Sequence, residues 1–290
     1  MFELDPEYLS VRDDAWHPEA IAGVRFQRAL RLPAGREPYD SVRSDAFHVP
    51  RALNDHFEGL DFEWLLRSNQ HIICLTSSEA VTLEFATPHT YPFAVKVAIG
   101  TIDALSGARA GGTLGLLPQD YLALPCQNRI DSWCDGAGAT HDFAAPAPGP
   151  LDANGAPQPA DDESDCISIT FVPMKPDVFQ RRCTEIDLNA GRQVYGAPDF
   201  AERFTETHML NARMRYELEK GETWDTGMVY PDPFDADDWD ADRAATVAVT
   251  MVGPQAWQAL TGEAADPPLF SRDIYDQAGV PWEDRYGADW

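Results

Sequence analysis

Two-residue alternation constrains this chain more than any other feature. In Ala80-Val-Thr-Leu-Glu-Phe-Ala, Val81, Leu83 and Phe85 fall on one side while Thr82 and Glu84 fall on the other. Phe93-Ala-Val-Lys-Val-Ala-Ile-Gly-Thr-Ile places Val95, Val97 and Ile99 opposite Lys96. Cys166-Ile-Ser-Ile-Thr-Phe-Val sets Ile167, Ile169 and Phe171 on one face, and Ala244 to Val252 alternates Val247 and Val249 with Thr246 and Thr250. His71-Ile-Ile-Cys-Leu-Thr adds a β-branched run, and Ser77-Ser-Glu and Thr87-Pro-His-Thr-Tyr-Pro supply turns between the runs. Period two with one polar face predicts antiparallel strands in sheets packed on one side. The expected fold is therefore mainly β: an antiparallel β-sandwich-like core with a few short helices and an extended aromatic C-terminal strap.

The punctuation divides the chain into an irregular N-terminal segment (1–45), a first β-rich half (46–143), a Pro/Ala/Asp-rich loop (144–165), a second β-rich half (166–264) and the strap (265–290). Ile21, Val24, Ala29 and Leu30 suggest a short helix over Pro18 to Arg31, and a second is expected from Pro176 to Cys183. Pro254 to Leu260 reads as a helical turn ending at Gly262, and Met209 to Leu218 fits strand or helix. Gly111-Gly-Thr-Leu-Gly lacks the Lys-Ser/Thr of a phosphate-binding loop and the spacing of a dinucleotide fingerprint, so it reads as a hairpin turn.

The formal net charge of -26, from 48 acidic and 22 Lys or Arg residues, argues against two partner classes. Nucleic acids and anionic membrane surfaces are bound through Lys and Arg, so neither is an expected partner. An acidic start without an apolar leader, and no apolar run approaching membrane-spanning length, make cytoplasmic the expected location. Five widely spaced cysteines read as reduced thiols, several of them buried.

The densest acidic cluster, Asp232-Pro-Phe-Asp-Ala-Asp-Asp-Trp-Asp-Ala-Asp, contains Asp238, Asp240 and Asp242 at the i, i+2, i+4 spacing that opens a calcium loop. Arg243 and Val249 stand where such a loop needs Gly and a bidentate Glu, so the cluster is a solvated acidic turn or a weak Ca²⁺ or Mg²⁺ site; no other cofactor is expected. Cys126 and Cys134 are too far apart for a zinc knuckle. Cys134 could pair with His141 as thiol and base only if the fold brings them together. Aromatic residues crowd the last quarter between carboxylates. Trp239, Trp282 and Tyr286 either pack under a Pro-rich strap or line a groove for a sugar or a cationic ligand.

The segments Val229-Tyr-Pro-Asp-Pro-Phe-Asp-Ala-Asp-Asp-Trp-Asp, Trp257-Gln-Ala-Leu-Thr-Gly-Glu-Ala, Ala278-Gly-Val-Pro-Trp-Glu-Asp-Arg-Tyr and Leu117-Pro-Gln-Asp-Tyr-Leu-Ala-Leu-Pro-Cys-Gln occur in one order. Through them, residues 70 to 286 resemble a family of uncharacterised bacterial and fungal proteins. The resemblance implies one co-folded unit and brings no reaction or catalytic residues with it.

Well-specified strands without a converging acid, base and nucleophile point to a non-catalytic binding protein or a self-assembling homo-oligomer. The rival is a divalent-metal-assisted hydrolase using carboxylates from Asp232 to Asp242 with His141 or His208 as base. A carbohydrate-binding β-sandwich module is the third expectation.

Overall fold

The computed structural model describes residues 2–4, 8–13, 15–30, 43–48, 50–52, 70–76, 79–88, 91–144, 166–182, 229 and 232–266. The expected strap with Trp282 and Tyr286, residues 145–165 of the Pro-rich loop, the 209–218 segment, Cys183 and His208 lie outside these residues.

The alternating runs form strands as expected. The first sheet joins β1 (Phe2–Leu4), β2 (Leu9–Arg12), β3 (Ile21–Leu30), β7 (Glu79–Ala86) and β11 (Arg129–Ile130) in that order, with β4 (Arg43–His48) also paired to β3. The long β3 is shared along its length: residues 21–24 pair with β2 and residues 26–29 with β4, while β7 takes the opposite edge. The second sheet runs β10 (Leu122–Leu124), β8 (Phe93–Ile99), β14 (Cys166–Pro173), β15 (Ala245–Val252), β6 (Gln70–Cys74) and β5 (Arg51–Ala52), with β9 (Ile102–Asp103) also on β8. A small hairpin joins β12 (Ser132–Cys134) to β13 (Thr140–Asp142).

The protein is mainly β with antiparallel sheets, and among the described residues one pairing departs from the rule. β15 runs parallel to β6, with Val249 beside His71 and Met251 beside Ile73. Two strands so far apart in sequence cannot be joined by a tight hairpin, so antiparallel geometry has no local advantage there. β6 is also buried on both faces, because Trp257 and Leu260 of the helix Pro254–Thr261 cover Ile72, Cys74 and Val252. That double burial explains its unbroken apolar run.

One core unites the sheets. Val24, Phe26, Leu83 and Phe85 from the first pack with Val95, Val97, Ile167, Ile169, Phe171, Val247 and Val249 from the second. The Phe85 and Phe171 rings meet edge to face, with centroids 6.1 Å apart. Strands on either side of the Pro-rich loop interleave in the second sheet, since β14 and β15 lie between β8 and β6.

The N-terminal expectation is corrected. The described residues of the 1–45 segment are largely strand, because β1, β2, β3 and the start of β4 lie there and build half of the first sheet. Residues 21–30 form a strand, not a helix: Ala22, Val24 and Phe26 face the core while Arg25 and Gln27 alternate outward. The helical spacing of Ile21 and Val24 is incidental, and ladders on both edges decide the conformation. The helix at 176–182 forms as expected, and the helix Pro254–Thr261 ends at Gly262 with φ +72°, a left-handed cap. No helix among the described residues is long and apolar enough to cross a membrane.

Candidate functional site

The outer face of the first sheet carries a groove of about 600 Å³. Its floor is one rung across adjacent strands: Arg25 on β3 is in register with Glu84 on β7, and Glu84 with Arg129 on β11. Tyr8, the residue before β2, extends the rung, and the Arg25 guanidinium lies 5.6 Å from its ring centroid. Thr87 beyond β7 and the Leu124, Pro125 and Asn128 turn complete the lining. A Cβ on Gly23 would come within 3.2 Å of Tyr8 Cβ and 3.1 Å of Ser10 Oγ, so the bare backbone there lets Tyr8 settle on the sheet.

The groove's charges are matched in pairs. Arg25 Nε donates to Glu84 Oε2 at 2.6 Å, and Arg129 donates to both oxygens of Asp131 at 2.6 and 3.1 Å. Each guanidinium thus faces a carboxylate, and the rung presents little net charge despite the acidity of the chain.

The acidic segment is dispersed by the fold. Asp232 turns inward, 5% exposed, and accepts from Phe234 N at 2.8 Å, Trp239 Nε1 at 2.9 Å and the Tyr121 hydroxyl. Burial raises the pKa of its carboxyl, those three donors opposing the rise. Asp238 accepts from Arg182 at 2.7 Å and has Arg181 at 3.6 Å. Asp240 Oδ1 instead accepts the Asp242 amide at 3.1 Å. Two of the three carboxylates expected to share a cation, Asp238 and Asp240, thus have different local partners, and among the described residues no group of three or more metal-ligating side chains converges. Trp239 does not line a groove. It is 4% exposed and packs edge to face on Phe234 at 5.3 Å and on Tyr121 at 6.3 Å.

The hairpin separates Cys134 from His141. His141 is in register with Trp133, onto which it stacks at 4.7 Å, whereas Cys134 is in register with Thr140. Adjacent residues of a strand point to opposite faces, so thiol and imidazole diverge. His141 Nε2 pairs with Asp135 Oδ2 at 2.8 Å, and Asp135 Oδ1 accepts the Ala137 and Ala139 amides at 2.8 Å, closing the turn. The His141 hydrogen bond is the leading reason that the Asp135 carboxyl titrates low.

Interior polar groups form three further sets. Lys96 Nζ donates to Thr113 O at 2.6 Å and Asp120 Oδ2 at 2.7 Å, pinning the glycine-rich loop over β8. Arg28 pairs with Glu79, whose other oxygen accepts Thr76 N at 3.2 Å. Nearby, the His48 imidazole is 4% exposed, its Nε2 has no hydrogen-bond partner, and burial, with Arg28 second, pushes its pKa down to about 3. Asp266 Oδ2 stands 3.9 Å from His48 Nδ1, beyond hydrogen-bond length. Cys74 and Cys126 are buried thiols whose pKa burial lifts to about 12, far from nucleophilic poise.

The groove residues escaped the sequence reading because they come from separate segments between residues 8 and 129. Glu84 alone carried a signal, as the charged outward member of an alternating run. No family model, curated protein or solved structure matches this chain.

Proposed function

We propose that this chain is a non-catalytic binding protein that takes a small ligand on the outer face of its first sheet. The groove of about 600 Å³ carries the reading, because its volume lies within the ~300–1,000 Å³ common for small-molecule sites and its polar groups converge on a β scaffold. Binding is favoured over self-assembly by the exposed apolar surface. The large exposed apolar side chains among the described residues are Leu116 and Leu117 at one loop tip, far short of the roughly 800 Å² per partner of a stable interface.

The test is backbone-amide NMR of the full chain against a panel of neutral sugars, organic acids, phosphorylated metabolites and amines. At least one compound is expected to move the amides of Arg25, Glu84, Thr87 and Arg129 and to be recovered chemically unchanged. Shifts confined to the Trp133–His141 hairpin, conversion of the compound, or silence across the whole panel would each defeat the reading.

A further inference from the structure

We infer that the groove's ligand is a neutral, hydroxyl-rich molecule, a saccharide unit, which rests on the binding reading above and gives it a chemistry. The argument begins with what the groove leaves open. Glu84 spends Oε2 on Arg25 and Arg129 spends Nε and Nη2 on Asp131; among the described residues, Glu84 Oε1 and Arg129 Nη1 have no hydrogen-bond partner. Asn128 is exposed, and among the described residues neither its side-chain amide nor the Thr87 hydroxyl has a hydrogen-bond partner.

The open set is therefore one carboxylate acceptor, one guanidinium donor, one amide that does both and one hydroxyl that does both. Vicinal hydroxyls of a sugar donate and accept at neighbouring oxygens, matching that mixture. A phosphate offers acceptors only and would leave Glu84 facing a like charge. An ammonium offers donors only and would leave Arg129 and Arg25 facing a like charge.

Charge points the same way. Internal pairing of Arg25 with Glu84 and of Arg129 with Asp131 leaves the rung no surplus charge to hold an ionic ligand, and the net charge of -26 on the chain repels anions. A neutral polyol is indifferent to both. Tyr8 and Pro125, both half-buried, add an apolar flank suited to the C–H face of a pyranose ring.

The experiment is a titration of the full chain with glucose, galactose, mannose and xylose and their short oligomers, beside glucuronate, glucose 6-phosphate and glucosamine. Amide shifts report the site and the affinity. At least one neutral sugar is expected to bind the groove more tightly than its charged counterparts. Glu84→Ala should weaken that sugar about tenfold or more and Asn128→Ala about threefold to tenfold, the losses typical of a charged and a neutral hydrogen bond. Asn128 is exposed and holds the fold only through its backbone carbonyl, which accepts from Phe85 N at 2.8 Å and survives the substitution, so its variant tests the site even if Glu84→Ala folds poorly. Groove shifts with charged probes alone would overturn the saccharide assignment and leave the binding reading standing. A neutral sugar that binds both variants as tightly as the parent would overturn the assignment as well. Silence with every probe here and in the wider panel would remove both.

Discussion

Arg25 and Glu84 face each other across the β3–β7 ladder with Nε 2.6 Å from Oε2, and their side chains are 27% and 21% exposed. The pair shapes the groove, but water reaches it, so its energetic value is small. Glu84→Gln should shift the unfolding free energy by no more than about 1 kcal/mol, as for other solvent-reached ion pairs. Urea denaturation checks this. A loss of several kcal/mol would mean that Glu84 holds the sheet together instead of serving the groove.

Asp232 should matter far more to stability. Its carboxylate satisfies the Tyr121 hydroxyl, Trp239 Nε1 and the Phe234 amide in the interior, so Asp232→Ala strands buried donors at about 1–3 kcal/mol each. We expect a destabilisation of about 2–5 kcal/mol and an altered near-ultraviolet Trp signal. Unchanged stability would show that water readily replaces the carboxylate.

His48 gives acid lability a specific origin. Its folded pKa is depressed to about 3 from 6.5, so between these values the unfolded chain holds a proton that the folded chain does not. Stability from this group is therefore full above pH 6.5 and is lost as pH falls toward 3, at up to about 1.4 kcal/mol per pH unit. Asp103 and Asp232, whose pKa values are raised chiefly by burial, work in the opposite sense, because acidification relieves the cost of burying their charges. Comparing the parent with His48→Gln isolates the imidazole: the variant should show a flatter stability curve between pH 6.5 and 4, and parallel curves would refute the assignment.

The acidic segment makes a contrasting prediction about metals. Asp238 is 5% exposed and holds Arg182, so Asp238→Ala should cost about 1–3 kcal/mol, whereas Asp240 closes a local turn and Asp240→Ala should cost under about 1 kcal/mol. Any rise in Tm with Ca²⁺, Mg²⁺ or Mn²⁺ should survive in Asp238→Asn and Asp240→Asn, reflecting general neutralisation of the -26 charge. A rise abolished by both substitutions would restore the cation-site reading.

Much of the fold was legible one residue at a time. Val81, Leu83 and Phe85, like Ile167, Ile169 and Phe171, alternate because a pleated backbone sends successive side chains to opposite faces, and that periodicity is written in the chain itself. Gly262 after an apolar turn likewise marks a helix end by purely local geometry. Tertiary structure decided what depends on partners distant in sequence. Ile21–Leu30 became a strand because β2, β4 and β7 flank it, and β6 lies parallel to a strand met about 170 residues later. Trp239 and Asp232 turned inward because Tyr121 waits there to receive them. The Tyr8, Arg25, Glu84 and Arg129 rung exists only through the register of adjacent strands, and register is set by packing across the whole sheet, which no local pattern contains.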